Sequence, residues 1–293
     1  MTRIVLATAD GSVRASIDPV AASIRTLEVR GRALVEPSDG EQPPGAAGAV
    51  LVPWPNRVRD GRWLLDGAPQ QLAITDPATH SANHGLLATT RYRVGARTAD
   101  SVTLHARVDS APGYPFALAT SVRYALHPDG IDAHHVLVNE SDRSAPVALG
   151  VHPYLRAGDA AEPRIRLPAR ERLVLDERHL PTGERHPVDG TPFDLRAGVL
   201  ERDAPWHASL TALDREPDGT VRADLSAPGH GRTVLWADAS FTVFQLYIDR
   251  DRQPPAIAIE PMTAPPDALN SGEGLRWLAP GERSEHRWGI VAE

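Results

Sequence analysis

"SVTLHARVDSAPGYPFALATSVRYALHPDGIDAHHVLVN", residues 101–139, decides the fold class. Three parts of it alternate apolar and polar residues: "SVTLHARVD" (101–109), "ALATSVRYAL" (117–126) and "IDAHHVLVN" (131–139). A period of two sends alternate side chains to opposite faces of a strand. Between these parts lie "SAPGYP" and "HPDG", rich in the residues that set turn geometry. The spacing predicts three strands joined by two turns, an antiparallel meander. The same alternation recurs in "SVRASID" (12–18) and "TVFQLYI" (242–248), with "DREPDG" (214–219) as a further turn signal. Long helices find little room, because 27 prolines and 23 glycines are spread along the chain and both are costly in a helix interior. "PVAASIRTLEV" (19–29) fits a short helix or a strand and reads better as a strand. No flexible linker stands out, and no period of 20–50 residues marks a repeat array. The expectation is an all-β protein, one domain over residues 1–293, built of large packed antiparallel sheets.

Composition narrows the chemistry. Apolar residues make up 41% of the 293, enough for a sizeable core. The net charge of −7 gives no global electrostatic reason to bind nucleic acid or an anionic membrane. There is no cysteine, which excludes disulfides, thiolate catalysis and cysteine metal sites. There is also no lysine; all 31 basic residues are arginine. Lysine Schiff bases and a P-loop lysine are thereby excluded. The apolar run near the N-terminus is too short for a secretory signal, and no stretch is long enough to span a membrane. A soluble, cytoplasmic protein is expected.

No nucleophile elbow, Walker loop or zinc-protease pattern is present, so the chemistry falls to His, Asp, Glu and Arg brought together by the fold. "IAIEPMTAPPDALNSGEG" (257–274) opens as an apolar strand, then presents Glu260 and at once Pro261. "ALGVHPYL" (148–155) repeats that grammar with His152 and Pro153. Two titratable groups at strand ends, each followed by a proline, point to two groups aimed into one concavity. A histidine titrates near neutrality and can give or take a proton there. The plainer readings are a solvated edge acid and a capped strand-end histidine. Pro261 is expected to stop its strand, and the residues after it to form a loop that fixes the carboxylate. His84 in "SANHGLL" (81–87) sits in a turn, where a histidine is more often a surface residue. Arg57, beside Asn56 in "VPWPNRVRDGRW" (52–63), suits hydroxyl or oxyanion recognition, and equally a structural ion pair. His134 and His135 point to opposite faces of one strand and make poor joint metal ligands. His105, His127 and His286 have no supporting context. No spacing signals a zinc site.

Four segments together resemble the aldose 1-epimerase (galactose mutarotase) family. They are "NR" (56–57), "HG" (84–85), "GVHPYL" (150–155) and "IEPMTAPPDALNSG" (259–272), in this order. "LPTGERHPVDGTPFDLR" (180–196), "VLWADASFTVFQLYI" (234–248) and "LAPGE" (278–282) extend the likeness over nearly the whole chain. The resemblance implies a β-supersandwich and interconversion of the α and β anomers of a free aldose such as galactose or glucose. It implies His152 as general acid, Glu260 as general base, and Arg57 and His84 as holders of sugar oxygens, with Asn56 beside them. No cofactor and no metal is implied, since the reaction is proton transfer and ring opening. The expected partner is a monosaccharide, and the expected state a monomer or weak dimer.

One departure concerns the substrate. Many members carry an aspartate in an "LDHAF"-like stretch; here the local match is "WHASL" (206–210), with His207 in that place. Asp203, four residues earlier, is a candidate substitute. Trp206 or Trp54 could offer a flat face to a sugar ring, though core packing is the more ordinary role of both. A hexose 6-phosphate is the alternative substrate, with Arg59, Arg62 and Arg91 as candidate phosphate ligands. A sugar sensor without turnover and a glycoside hydrolase are further readings. The sensor has no use for an acid–base pair, and the hydrolase needs a second carboxylate.

Overall fold

The structure is a computed structural model and describes residues 3–159 and 162–293. The stretch read first forms the expected meander, with strands Ser101–Val108, Leu118–His127 and Gly130–Asn139 in antiparallel register. The strand Arg283–Ala292 then joins the outer side of Gly130–Asn139. Alternation becomes burial row by row. Val102, Tyr124, Ala133 and Trp288 are successive cross-strand partners, and all are buried. So are Leu104, Val122, His135 and His286 in a parallel row. Burying each large apolar side chain contributes roughly 1.5–3 kcal/mol. His135 belongs to this core: Trp288 Nε1 donates to its Nε2 at 2.8 Å. His134 faces the other way and meets Glu285 at 2.8 Å, so the two histidines do lie on opposite faces.

These four strands belong to a nine-stranded sheet that continues through Gly231–Ala237, Val221–Ala227, Arg164–Arg166 and Val199–Leu200. A second large sheet carries the site. Its path runs Pro181–Pro187, Ala169–Leu175, His207–Leu213, Val243–Asp249, Ala256–Met262, Gly150–Val151 and Val50–Leu51, with Tyr154–Leu155 also paired to Ala256–Met262. A four-stranded sheet from the N-terminal region packs into the same core. It includes Ser23–Val29, so "PVAASIRTLEV" is a strand in its second half. Helix is confined to short turns among the described residues, the α-helical one being Ala268–Ser271. The architecture is the all-β supersandwich of large antiparallel sheets that the sequence predicted.

Pro261 corrects one expectation. It does not stop its strand, which runs Ala256–Met262 and keeps Pro261 opposite Phe244. The reason lies in the neighbouring segment. The N–H groups of Ile259 and Thr263 donate to the carbonyls of Pro153 and Leu149. Pro261 lies two residues from each, so its nitrogen faces the same way. There the neighbour leaves the ladder between Gly150–Val151 and Tyr154–Leu155. A proline costs no ladder bond at a position with no acceptor. That interruption is His152–Pro153, and it opens the sheet beside Glu260.

Candidate active site

Glu260 and His152 meet across this gap. His152 Nε2 lies 3.3 Å from Glu260 Oε1, and the two side chains are only 6% and 3% exposed. The second atom of each, His152 Nδ1 and Glu260 Oε2, is buried without a hydrogen-bond partner. Buried polar atoms are normally paired, so two orphans at one spot mark a place prepared for something else. Burial drives both titrations. It raises the Glu260 carboxyl to about 8, against a smaller opposing pull from Arg57. It lowers the His152 imidazole to about 4. Between those values the pair holds a single proton, as coupled groups do. Two residues before His152, Gly150 lets Pro55 pack close: a Cβ there would lie 2.5 Å from the Pro55 Cβ.

The weak sequence pairs "NR" and "HG" prove to be one interlocked unit. Asn56 and His84 both have left-handed backbone, at φ 56° and 63°. The Asn56 N–H donates to His84 Nδ1 at 3.3 Å, and the His84 N–H to the Asn56 carbonyl at 2.9 Å. An acceptor at Nδ1 fixes the proton of neutral His84 on Nε2. Burial, with the nearby His152 and Arg57, keeps this ring well below its usual pKa. Its edge faces the His152 ring at 5.3 Å between centroids. Thus His84 is a partly buried site residue rather than a surface one. Gly85 is needed because a Cβ would fall 2.2 Å from the Val52 carbonyl oxygen. Arg57 is aimed by three acceptors: Nε donates to Asp76 and Thr79 at 3.2 Å each, and Nη1 to Asn56 Oδ1 at 3.3 Å. The ion-pair reading of Arg57 is met by Asp76, and the same side chain lines the cavity beside His152 and Glu260. The loop after Glu260 serves this arginine rather than the carboxylate. Its Asp267 N–H donates to the Arg57 carbonyl at 2.7 Å, and its Oδ1 accepts the Arg59 N–H at 2.9 Å.

Glu260, His152, His84, Asn56, Arg57, Asp76 and Thr79 line one open cavity of about 520 Å³, within the range of small-molecule sites. His207 and Trp206 form its far wall. His207 lies on the strand two places from that of Glu260 in the same sheet, roughly 10 Å across at the usual strand spacing. Burial, helped by His179 and Arg57, lowers its imidazole to about 3. Trp206 is 47% exposed, against the ordinary expectation of core packing, whereas Trp54 at 2% is a core residue. Asp203 is exposed and does not line the cavity.

The cavity also holds residues that motif reading passed over: Asp76, Tyr154, His179, Tyr247 and Asp249. Tyr247 had a usable signal, since "TVFQLYI" alternates and Tyr247 shares the face of Gln245, the cross-strand partner of Glu260. His179 had none; a left-handed turn at φ 60° brings it to 4.4 Å from the His207 ring. None of the three arginines weighed for phosphate lines the cavity. Arg59 pairs with Asp176 at 3.1 Å, Arg62 donates to Gln71, and Arg91 is exposed. Among the described residues, no group of three His, Asp or Glu is placed to hold a metal ion. No helix there is long and apolar enough to cross a membrane.

A family model described as aldose 1-epimerase matches residues 3–290. The chain belongs to the aldose 1-epimerase family. The uncharacterised protein YihR of Escherichia coli (strain K12) is 33% identical over 94% of this chain and 88% of its own length. Human galactose mutarotase is 32% identical over 52% of this chain, a match that spans 46% of the human protein. In fold, the aldose epimerase homologue from C. elegans superposes with a TM-score of 0.87 at 19% identity, over 100% of this chain and 99% of that one. Family membership and fold are thereby settled, and the sequence resemblance is confirmed.

Proposed function

We propose that the protein is an aldose 1-epimerase acting on a free, unphosphorylated aldose, with Glu260 and His152 as its proton-transfer pair. The observation that carries this reading is the buried contact of the two groups at the cavity, each with one orphaned atom. Ring opening takes the proton from the C1 hydroxyl and gives one to the ring oxygen. Rotation about C1–C2 then presents the other carbonyl face, and closure returns both protons. A pair that shares a single proton can do this without net change. The shared proton rests on Glu260, and the reactive form is the one in which it has crossed the 3.3 Å contact to His152. Glu260 as carboxylate then takes the hydroxyl proton, His152 protonates the ring oxygen, and the roles reverse on closure. Arg57 is held at a fixed angle by Asp76, Thr79 and Asn56, which suits it to grip sugar oxygens. His84 presents its Nε2–H donor beside His152, and Trp206 and Tyr247 offer ring faces.

The charge balance favours a neutral sugar. Around the cavity one guanidinium, Arg57, stands among three carboxyl groups, Asp76, Asp249 and Glu260. A phosphate site calls for a cluster of fixed cations. Polarimetry on freshly dissolved α-glucose, α-galactose and glucose 6-phosphate tests the reading. Faster mutarotation of a free sugar supports it. Acceleration confined to glucose 6-phosphate replaces the substrate, and binding with no acceleration replaces catalysis by sensing.

A further inference from the structure

Gln245 lies opposite Glu260 on one side and opposite Ser209 on the other, and is 1% exposed. Its amide is fully engaged. Ser209 Oγ donates to Oε1. The amide nitrogen donates to the Leu246 carbonyl at 3.2 Å and stands 3.2 Å from His207 Nε2. A backbone carbonyl only accepts, so the NH2 end of the amide must be the one facing Leu246. That same NH2 group then faces His207 Nε2, which must offer its lone pair. The proton of the neutral ring is left on Nδ1. An imidazolium would set an N–H against an N–H, and burial of the ring works in the same direction. Among the described residues the His207 ring makes its hydrogen bond through Nε2, with no partner at Nδ1, and His207 lines the cavity, so this N–H is free for a ligand.

We propose that Gln245 is a specificity-determining positioning residue: it holds His207 as the neutral Nδ1–H form, so the wall facing Glu260 donates a hydrogen bond and selects an acceptor oxygen on the sugar. This rests on the proposed function only for the ligand being an aldose. A carboxylate at this wall would accept only, and would demand a free hydroxyl proton. A donor makes no such demand. The site therefore takes aldoses whose oxygen remote from C1 is substituted, as in an ether or a glycosidic link, as well as those with a free hydroxyl there.

Two measurements test this. Long-range ¹H–¹⁵N correlation on the histidine-labelled protein reads the His207 tautomer directly, with His207→Asn as the assignment control. The wild type is expected to show protonated Nδ1 and bare Nε2; the reverse pattern overturns the proposal without recourse to any further variant. Kinetics on 3-O-, 4-O- and 6-O-methyl glucose then read the consequence. At least one ether is expected to keep a KM within a few-fold of that of glucose. Gln245→Met, neutral and of similar length, should mix the His207 tautomers and raise that KM about tenfold, the worth of one hydrogen bond, with a smaller change in kcat. Rejection of all three ethers, or an unchanged KM in a variant whose tautomer has shifted, overturns the specificity role. If no sugar is epimerised at all, the proposed function fails, while the tautomer and the shift of Nδ1 on adding each ether still decide this proposal.

Discussion

Glu260→Gln should stabilise the protein, and by an amount that grows with pH. The folded site raises this carboxyl from 4.5 to about 8 because burial penalises its charge. Below pH 4.5 the group is protonated in both folded and unfolded chains, and the site costs nothing on this account. Between 4.5 and 8 the unfolded chain sheds the proton while the folded chain keeps it. The unfolded state then binds fewer protons, so stability falls as pH rises. At about 1.4 kcal/mol for each pH unit, the loss accumulated by pH 8 is on the order of 4 kcal/mol. Glutamine has the same shape and no charge, and escapes this loss. His152 acts in the opposite window: its lowered pKa costs stability as pH falls from 6.5 towards 4. That cost is present in both proteins and largely cancels in their difference. The assay is urea unfolding of wild type and Glu260→Gln at pH 5 and pH 8. The variant's advantage is expected to be several kcal/mol larger at pH 8 than at pH 5. A difference between the two proteins that does not change with pH refutes the reasoning, because Glu260 would then titrate alike folded and unfolded.

Three further outcomes follow from the geometry. kcat/KM should be level while the His152–Glu260 pair holds one proton, between about 4 and about 8, and should fall outside both limits; a pH-rate profile on wild type checks this. Gly85→Ala puts a Cβ 2.2 Å from a backbone oxygen at φ 73°. The left-handed conformation alone costs about 1–2 kcal/mol, so calorimetry should show Tm lowered by several degrees, with activity lost through the displaced His84. Trp206→Ala removes an exposed ring from the cavity wall. KM for the sugar should rise, while stability in urea stays within about 0.5 kcal/mol of wild type.

Much of this was legible because it is local. The meander over 101–139 follows from alternation and turn residues, and both survive in the register Ser101↔Ala125 and His127↔Gly130. His152 and Glu260 shared a visible grammar, and the fold does bring them together. What stayed hidden depends on neighbours far along the chain. Pro261 looked like a strand end because its tolerance depends on the ladder gap at His152–Pro153, more than 100 residues away. The reciprocal bonds of Asn56 and His84 made sense of two dipeptides too short to carry meaning alone. Trp206 reads as a core residue until it is seen just before the strand His207–Leu213, at the border of a cavity. The tautomer of His207 depends on an amide 38 residues away and on a carbonyl beside it.

The most direct test of the proton-transfer pair is the mutarotation rate of freshly dissolved α-glucose and α-galactose, followed by polarimetry, with wild type and Glu260→Gln. For the sugar that wild type accelerates, removing the carboxylate is expected to cost about 10²- to 10⁴-fold in kcat, while the folded variant still binds that sugar. Full activity in Glu260→Gln would contradict the account.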